Sequence, residues 1–287
     1  MKNNRVIITY IDYLDKQYLS LFYVDSNDRP IEILELSSIR IGEIIEAKVI
    51  KKLKNNDGIC LLADSSKAYI KSMDGLNEQD IFIAKIIADA HDNKDAVIIK
   101  HESQDKTFCK YTNILDHMEY SEVVTDIPVI YDELLLSGIN VRLYEDEDYT
   151  LKDMYHLNKH LLDALNPRVL LKNGSNIVIE ATEALTVVDV NSAQSGRMKA
   201  TNFALEINKA CCVEIIKQLR LRSIGGIVVV DFLKMNSKQD EQDLITYIKE
   251  QCNALDSNRV KVHDITALGL LEMTRTRTYK QLSQQFI

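Results

Sequence analysis

The sequence predicts a mixed α/β protein, and three stretches support that prediction. Residues 5–36 contain three β-rich runs, and residues 38–100 contain further short strands separated by turn signals. Residues 176–236 contain two β-branched runs with a long helical segment between them. A strand, a helix and a second strand in succession form a crossover unit, so we expect these two strands to lie parallel in one sheet.

The composition is that of an ordinary globular protein of about two domains. Of the 287 residues, 46% are hydrophobic and 27% are charged. The net charge of −8 argues against a generic nucleic-acid coat protein, which would be basic, but it allows a local basic groove. No run of about 18 apolar residues is present, and the charged N-terminus is unlike a signal peptide, so we expect a cytoplasmic protein without a membrane partner.

The cysteines and histidines do not predict a metal site. The cysteines are Cys60, Cys109, Cys211, Cys212 and Cys252. Their number is odd and no C-x-x-C spacing occurs, so we expect reduced, mostly buried thiols and no zinc. His156 and His160 are four residues apart in a predicted helix, a spacing that can hold a metal, but no third ligand is near and a plain helix face is favoured.

The N-terminal third of the chain predicts two β-rich units. In the first, a three-stranded meander has its last turn at Asp25-Ser26-Asn27-Asp28. The second has a strong hairpin signal at Asn55-Asn56-Asp57-Gly58. Its short strands are expected at residues 41–50, 59–63, 68–70, 81–87 and 96–99, which suits a small barrel of the OB type.

Residues 101–126 are polar and poorly periodic, and an α/β pattern resumes after them. A helix is expected over residues 150–165, with Thr150 as N-cap and Asp153 at the third position of a capping box. The strands expected around it are 128–131 and 139–144 before the helix, and a hairpin of 168–171 with 176–180 after it.

Each strand of the crossover unit ends in an aspartate, Asp189 in the first and Asp231 in the second. Parallel strands place both carboxylates at the C-terminal edge of the sheet, where open α/β sheets bind ligands. Neighbouring carboxylates repel each other, and Mg²⁺, which prefers oxygen ligands, relieves that repulsion. Asn191 offers a neutral oxygen on the same side as Asp189. This arrangement predicts a magnesium site.

The helix between the two strands is predicted over roughly residues 201–220. We expect Gly225-Gly226 to end it. Its apolar stripe consists of Ile207, Cys211, Ile215 and Leu219.

Cationic residues surround the predicted magnesium site in the sequence. From Arg197 to Arg222 there are six Lys and Arg residues against two Glu. Carboxylates for a metal beside a cationic stretch predict a phosphodiester substrate. The candidate phosphate contacts are Arg197, Lys199, Arg222, Arg275 and Arg277.

After the crossover unit, we expect a helix over 237–252, capped by Ser237, and a strand over 259–265.

Three stretches closely resemble the catalytic core of the ribonuclease E/G family. They read TEALTVVDVNSAQS from residue 182, IIKQLRLRSIGGIVVVDFLKM from residue 215 and GLLEMTRTRT from residue 269. The likeness is colinear over about residues 127–280, which makes it far more specific than a short motif. It implies a Mg²⁺-dependent endoribonuclease that cuts single-stranded RNA, such as messenger or ribosomal precursors, and leaves 5′-phosphate ends. Asp189 and Asp231 would hold the magnesium ion with the assistance of Asn191.

The resemblance also implies a domain plan. Residues 1–36 and 127–181 would form an RNase H-like subdomain, with an S1-like RNA-binding barrel inserted at 37–100. Residues 101–126 would be a linker or a reduced 5′-sensor region, and 182–287 a DNase I-like catalytic subdomain. On the barrel, Tyr69 would stack on a base and Lys94 would contact RNA. The second aromatic of the family is replaced near Ile59 or Cys60.

Two family features are not found in the sequence. The Arg-Thr-Ala-Gly pattern of the 5′-monophosphate sensor is missing, so we expect cleavage by direct entry. The cysteine-pair zinc link and the small domain are missing, so we expect a monomer or another weak oligomer. Two alternatives remain open: a non-catalytic RNA-binding protein that keeps the core as a scaffold, and a Mg²⁺-dependent phosphodiesterase of small nucleotides.

Overall fold

The computed structural model describes residues 3–90, 94–102, 110–146, 148–192, 203–256 and 259–287. The chain divides into two compact units, one of Met1–Arg29 and Leu34–Leu157, the other of Pro30–Ile33 and Asn158–Ile287. Within the described segments, no helix is both long enough and apolar enough to cross a membrane. The fold is mixed α/β, as predicted, with a closed barrel and two open sheets.

The N-terminal strands are the expected ones: β1 (Arg5–Tyr13), β2 (Lys16–Val24) and β3 (Pro30–Glu35). β1 and β2 pair antiparallel over their full lengths. The predicted turn follows β2, where the Asp28 amide donates to the Asp25 carbonyl oxygen at 3.0 Å. Consecutive residues of these strands are buried, for example Val6, Ile7 and Ile8, so both faces of the meander are covered.

The second β-rich unit is a closed five-stranded barrel, which confirms the OB-type prediction. Its strands are β4 (Ile44–Lys52), β5 (Gly58–Leu62), β6 (Lys67–Ile70), β7 (Ile81–Ala88) and β8 (Ala96–Lys100). The order around the barrel is β4-β5-β6-β8-β7. Only the β6–β8 pair is parallel. Small and branched residues such as Ala47, Val49 and Ile98 fill its interior.

The barrel is an insertion within the first sheet. After it the chain forms α1 (Lys110–Leu115), β9 (Glu122–Thr125), α2 (Pro128–Leu136) and β10 (Val141–Leu143). The sheet order is β10-β9-β1-β2-β3, with β9 parallel to both β1 and β10. β9 lies inside the stretch that we expected to be a linker. Its Val123 and Val124 are fully buried, but four residues are too few to produce a recognisable period.

Two local expectations in this region are wrong. Residues 128–131 begin helix α2 rather than a strand, because Pro128 occupies the first helical turn, where its missing N–H costs nothing. The helix expected over 150–165 is two helices, α3 (Leu151–Met154) and α4 (Leu157–Leu165). Between them His156 has φ of 51°, so it does not share a continuous helix face with His160. The Thr150 cap is confirmed, because its hydroxyl accepts from the Asp153 amide at 3.3 Å.

The second sheet contains the crossover unit. Its elements are β11 (Arg168–Leu170), β12 (Asn176–Ala181), β13 (Leu185–Asn191), α5 (Phe203–Leu221), β14 (Gly226–Asp231), α6 (Lys238–Leu255), β15 (Val260–Ile265), β16 (Leu270–Arg275) and α7 (Leu282–Gln285). The order is β11-β12-β13-β14-β16-β15. The β11–β12 hairpin therefore extends this sheet. We had expected it to belong with the first sheet, and that expectation is wrong. The reason is a tight turn after β12, closed by the Thr182 amide to the Leu185 carbonyl oxygen at 2.9 Å, which pairs β12 with β13.

One hydrophobic core joins α5 and α6 to a single face of this sheet. The predicted stripe of α5 is largely confirmed: Cys211, Ile215 and Leu219 are fully buried, and Ile207 is partly buried. Ser237 caps α6 as expected and accepts from the Asp240 amide at 3.1 Å. Because the helices cover one face only, the outward residues of β13 and β14 remain accessible.

Gly225-Gly226 does not end α5. The helix ends at Leu221, and the turn that closes it is at Ser223, which has φ of 52°. The Ser223 and Ile224 amides donate to the Arg220 and Leu219 carbonyl oxygens at 3.0 and 2.9 Å. This is the Schellman pattern with serine in the left-handed position where glycine is usual. The glycines instead allow Arg277 to pack closely against the main chain, because a Cβ on Gly225 would lie 2.6 Å from Arg277 Cγ.

Candidate active site

The two aspartates lie directly opposite each other on neighbouring parallel strands. β13 and β14 pair in register from Leu185 with Ile227 to Asp189 with Asp231, which confirms the parallel crossover. Adjacent strands are about 4.8 Å apart, so side chains on the same face of such a pair are neighbours. Both aspartates are exposed and project from the face of the sheet that α5 and α6 do not cover.

Strand alternation explains why both carboxylates face outward. In β13, Val188 and Val190 are buried against the helices, and in β14, Val228 and Val230 are buried there. A period of two then turns the residues between them to the opposite face. The β-branched residues of each run therefore anchor the strand, and the aspartate that ends the run is presented to solvent.

Asn191 is part of the same constellation, as the sequence predicted. Its side-chain amide donates from Nδ2 to Asp189 Oδ2 at 2.7 Å. This hydrogen bond leaves the other oxygen of Asp189 for a ligand and restricts rotation of the carboxylate. In the strand register, Val178 lies opposite Asp189 on one side, and Leu270 lies opposite Asp231 on the other, so apolar residues flank the acidic pair.

The donor set fits Mg²⁺ and does not fit a fully protein-ligated metal. Among the residues that the structure describes, no group of three or more His, Cys, Asp and Glu could hold a metal ion. Mg²⁺ needs only one or two protein carboxylates, because water and substrate phosphate complete its shell. Asp189 and Asp231, adjacent and exposed, meet that requirement.

A residue that sequence reasoning missed holds the chain just beyond Asp231. Asn208 of α5 is fully buried, and its side chain bonds to both main-chain groups of Leu233. Nδ2 donates to the Leu233 carbonyl oxygen at 2.9 Å, and the Leu233 amide donates to Oδ1 at 3.0 Å. The only sequence signal was a polar residue within the predicted buried stretch of a helix.

The arginines of the second sheet are not near the acidic pair. Arg275 lies opposite Gly226 at the start of β14, whereas Asp231 is at its end. Five residue steps at about 3.3 Å each separate these edges by about 17 Å. Arg222 precedes β14 and Arg277 follows β16, so both also belong to the edge away from the aspartates. The expected proximity of these cations to Asp189 and Asp231 is therefore not found.

Two of these arginines are buried and have structural partners. Arg275 is 5% exposed, pairs with Asp256 at 2.5 Å and donates to the Ile224 carbonyl oxygen at 2.8 Å. Arg222 is 7% exposed and donates to Gln218. Arg277 is exposed, and its Nε donates to the Gly225 carbonyl oxygen at 3.3 Å.

The placement of Arg222 and Arg275 disfavours direct contact with RNA at the aspartates, and such contact stays a prediction. Arg197 and Lys199 lie outside the described residues.

On the barrel, Tyr69 is half-buried on the outer surface, and its hydroxyl donates to the Asp57 carboxylate. This hydrogen bond raises the pKa of Tyr69. Ile59 lies opposite Tyr69 on β5 and faces outward, whereas Cys60 is inside the barrel. Ile59 is thus the outward position beside Tyr69 where the second aromatic is lacking. Lys94 is exposed.

Comparison with known proteins identifies what this arrangement is similar to. The sequence model of the Ribonuclease E/G family matches residues 61–278. Ribonuclease E of Synechocystis sp. is 37% identical over 141 residues, which are 49% of this chain and 21% of that protein. Ribonuclease E of Haemophilus influenzae is 32% identical over 207 residues, 69% of this chain and 22% of that protein. Ribonuclease G of Escherichia coli K12 is 35% identical over 131 residues, 45% of this chain and 27% of that protein. The matched stretch thus spans only 21% to 27% of these relatives.

Proposed function

Because the chain belongs to the ribonuclease E/G family, we propose that it is a Mg²⁺-dependent endoribonuclease that hydrolyses single-stranded RNA. The observation that supports this most directly is the in-register pair of Asp189 and Asp231 on parallel strands. Two exposed carboxylates side by side are unfavourable unless a cation lies between them, and a phosphodiester substrate brings the remaining oxygen ligands.

The chain's own residues would act by holding and orienting. Asp189 and Asp231 hold the cation, and Asn191 keeps the Asp189 carboxylate in one orientation through its 2.7 Å hydrogen bond. Asn208 fixes the main chain that follows Asp231. A bound Mg²⁺ supplies positive charge at the scissile phosphate and lowers the pKa of water for in-line attack. The flanking Val178 and Leu270 limit the number of competing polar contacts.

The remaining features of the activity are part of the same proposal. Tyr69 and Lys94 contact RNA on the barrel through stacking and charge, and Arg277 is an exposed candidate for phosphate contact. The chain does not require a 5′-monophosphate, and its products have 5′-phosphate ends. Cytoplasmic localisation stays a prediction.

The test is cleavage of a short fluorescent single-stranded RNA with either a 5′-hydroxyl or a 5′-monophosphate. Wild type, Asp189→Asn and Asp231→Asn are compared with Mg²⁺ and with EDTA. The matched control is Asp243→Asn, which makes the same charge change on α6 away from the pair. We expect internal cuts by wild type and the control with Mg²⁺ only, at equal rates on the two ends, and none by the other variants. Near-normal cleavage by Asp231→Asn would refute the metal assignment.

The same assay, extended to dinucleotides and to RNA of increasing length, separates the alternatives. RNA that is bound but not cut by wild type would favour a non-catalytic binding protein. Hydrolysis of dinucleotides, but not of longer RNA, would favour a phosphodiesterase of small nucleotides. A rate that increases with RNA length supports the endoribonuclease, because a longer strand reaches additional stacking and phosphate contacts.

A further inference from the structure

A cavity of about 220 Å³ lies within the second unit, separate from the acidic pair. Its walls come from the end of α4, the end of β12 and the start of α7, together with the segment between α5 and β14. Most lining side chains are apolar, including Leu165, Ile179 and Ile224. The polar lining residues are Arg222, Gln281 and Ser283. The cavity therefore combines an apolar body with one cationic group.

The Arg222 guanidinium at this cavity lacks a full set of partners. The side chain is 7% exposed, and its Nε donates to Gln218 Oε1 at 2.8 Å. Its Nη2 is buried and has no hydrogen-bond partner. Gln218 in turn donates from Nε2 to Glu214 Oε1 at 2.8 Å, so a hydrogen-bonded amide connects Arg222 to this carboxylate.

Burial lowers the pKa of Arg222 to about 10, so the group still carries its charge at neutral pH. Arg275 shows the contrast. It is equally buried but pairs directly with Asp256 through Nε at 2.5 Å. A buried charge without a direct counter-ion is costly, and so is a buried N–H without an acceptor. An anion in the cavity would remove both costs at Arg222.

We propose that this cavity binds a small organic anion, a carboxylate or a phosphate monoester attached to an apolar group. The anionic oxygens pair with Arg222, with Gln281 and Ser283 available as further donors, and the apolar group fills the space beside Ile179 and Ile224. The volume suits a single ring or a short branched chain rather than a polymer. Because Arg222 lies at the edge of the sheet away from Asp189 and Asp231, the site is distinct from the proposed catalytic site.

The test is calorimetric titration of the 287-residue chain with defined probes. Benzoate and phenyl phosphate distinguish a carboxylate from a phosphate monoester. Acetate and inorganic phosphate lack the apolar group, and benzamide lacks the charge. We expect saturable binding of benzoate or phenyl phosphate, at least about tenfold tighter than that of the three other probes, because both halves of the site are then used. At ten times the Kd, the melting temperature should rise by about 3 °C.

Three variants locate the binding. Arg222→Gln removes the charge, and Ala181→Phe blocks the cavity from its exposed rim without changing Arg222. Ala184→Phe is the matched control, since Ala184 is also exposed but does not line the cavity. We expect binding to be lost in the first two variants and kept in the control. The proposal is overturned if no probe binds the wild type, or if Ala181→Phe binds as tightly as Ala184→Phe. None of these readouts depends on RNA cleavage.

Discussion

The side-chain amide of Asn208 pairs with the main chain of Leu233 as a strand would. Nδ2 donates to the carbonyl oxygen at 2.9 Å and Oδ1 accepts from the amide at 3.0 Å. Leu233 is two residues beyond Asp231, where β14 has already ended. Helix α5 thus supports the main chain that follows one of the two aspartates, through a side chain that is fully buried.

Asn208→Ala should therefore weaken the proposed metal site as well as the fold. We expect a loss of about 2 kcal/mol in the free energy of unfolding, because two main-chain groups lose their partners. We also expect the Mg²⁺ concentration for half-maximal cleavage to rise about tenfold, as when a supporting hydrogen bond is removed. Ile216→Ala, buried in the same helix, is the control: it should lower stability but leave the Mg²⁺ dependence unchanged. An equal Mg²⁺ shift in both variants would indicate a purely structural role.

Ile59→Phe should strengthen RNA binding by the barrel. The new ring would lie beside Tyr69 on the outer surface and offer a second stacking platform. Stacking of one base is worth about 1–3 kcal/mol, so the Kd for single-stranded RNA should fall about fivefold or more. Ile81→Phe adds the same ring to β7, which is not adjacent to β5 or β6, and should have no such effect. Fluorescence anisotropy measures both, and equal gains would exclude a specific platform.

Ser223→Gly should stabilise the chain. Ser223 has φ of 52°, and its hydroxyl is buried without a hydrogen-bond partner. Glycine removes both penalties, so we expect the free energy of unfolding to rise by about 1–2 kcal/mol, net of the added freedom of the unfolded chain. Ser65→Gly tests the backbone contribution alone, since Ser65 has φ of 68° but is exposed. Its gain in urea unfolding should be smaller, and a larger one would contradict the account of the hydroxyl.

Gly225→Ala should destabilise the second unit. The added Cβ would lie 2.6 Å from Arg277 Cγ and 2.8 Å from Arg277 Cα. The second contact is with the main chain and cannot be relieved by a rotamer change, so we expect a loss of about 2 kcal/mol by thermal unfolding. Combining it with Arg277→Ala should recover only part of that loss. Full recovery would show that the side chain alone requires the glycine.

The four described cysteines should be unreactive in the folded protein. All are buried, and burial raises the pKa of Cys60 to about 11 and that of Cys252 to about 12. In a Cys109→Ser background, a thiol reagent at pH 8 should therefore label them only after denaturation. Since the folded pKa values exceed the ordinary 9.0, these thiols should add no pH dependence to stability below about pH 9, and they should lower stability between about pH 9 and 12, where only the unfolded chain ionises. Labelling of the native variant at pH 8 would contradict this.

Strands and caps that depend on local pattern were predicted well. All five barrel strands, the parallel crossover, and the caps at Thr150 and Ser237 follow from runs and signals within a few residues. Errors arose where a short segment takes its structure from distant partners. β9 is a four-residue strand that exists because β1 and β10 flank it. The local sequence of the β11–β12 hairpin predicts two paired strands but does not indicate which sheet they join.

The sequence by itself determined the central feature of this protein, the pair of Asp189 and Asp231. Two buried β-branched runs of similar length, a helix of the right length between them and an aspartate at each end leave little freedom in how the carboxylates meet. Only the tertiary structure decided which polar residues beyond Asn191 lie near them. It directed Asn208 to Leu233 and placed Arg222, Arg275 and Arg277 at the far edge of the sheet. The charge of a residue and its distance along the sequence from the aspartates do not determine which edge of the sheet it reaches. An antiparallel strand such as β16 runs opposite to β14, so its last residue, Arg275, lies beside the first residue of β14.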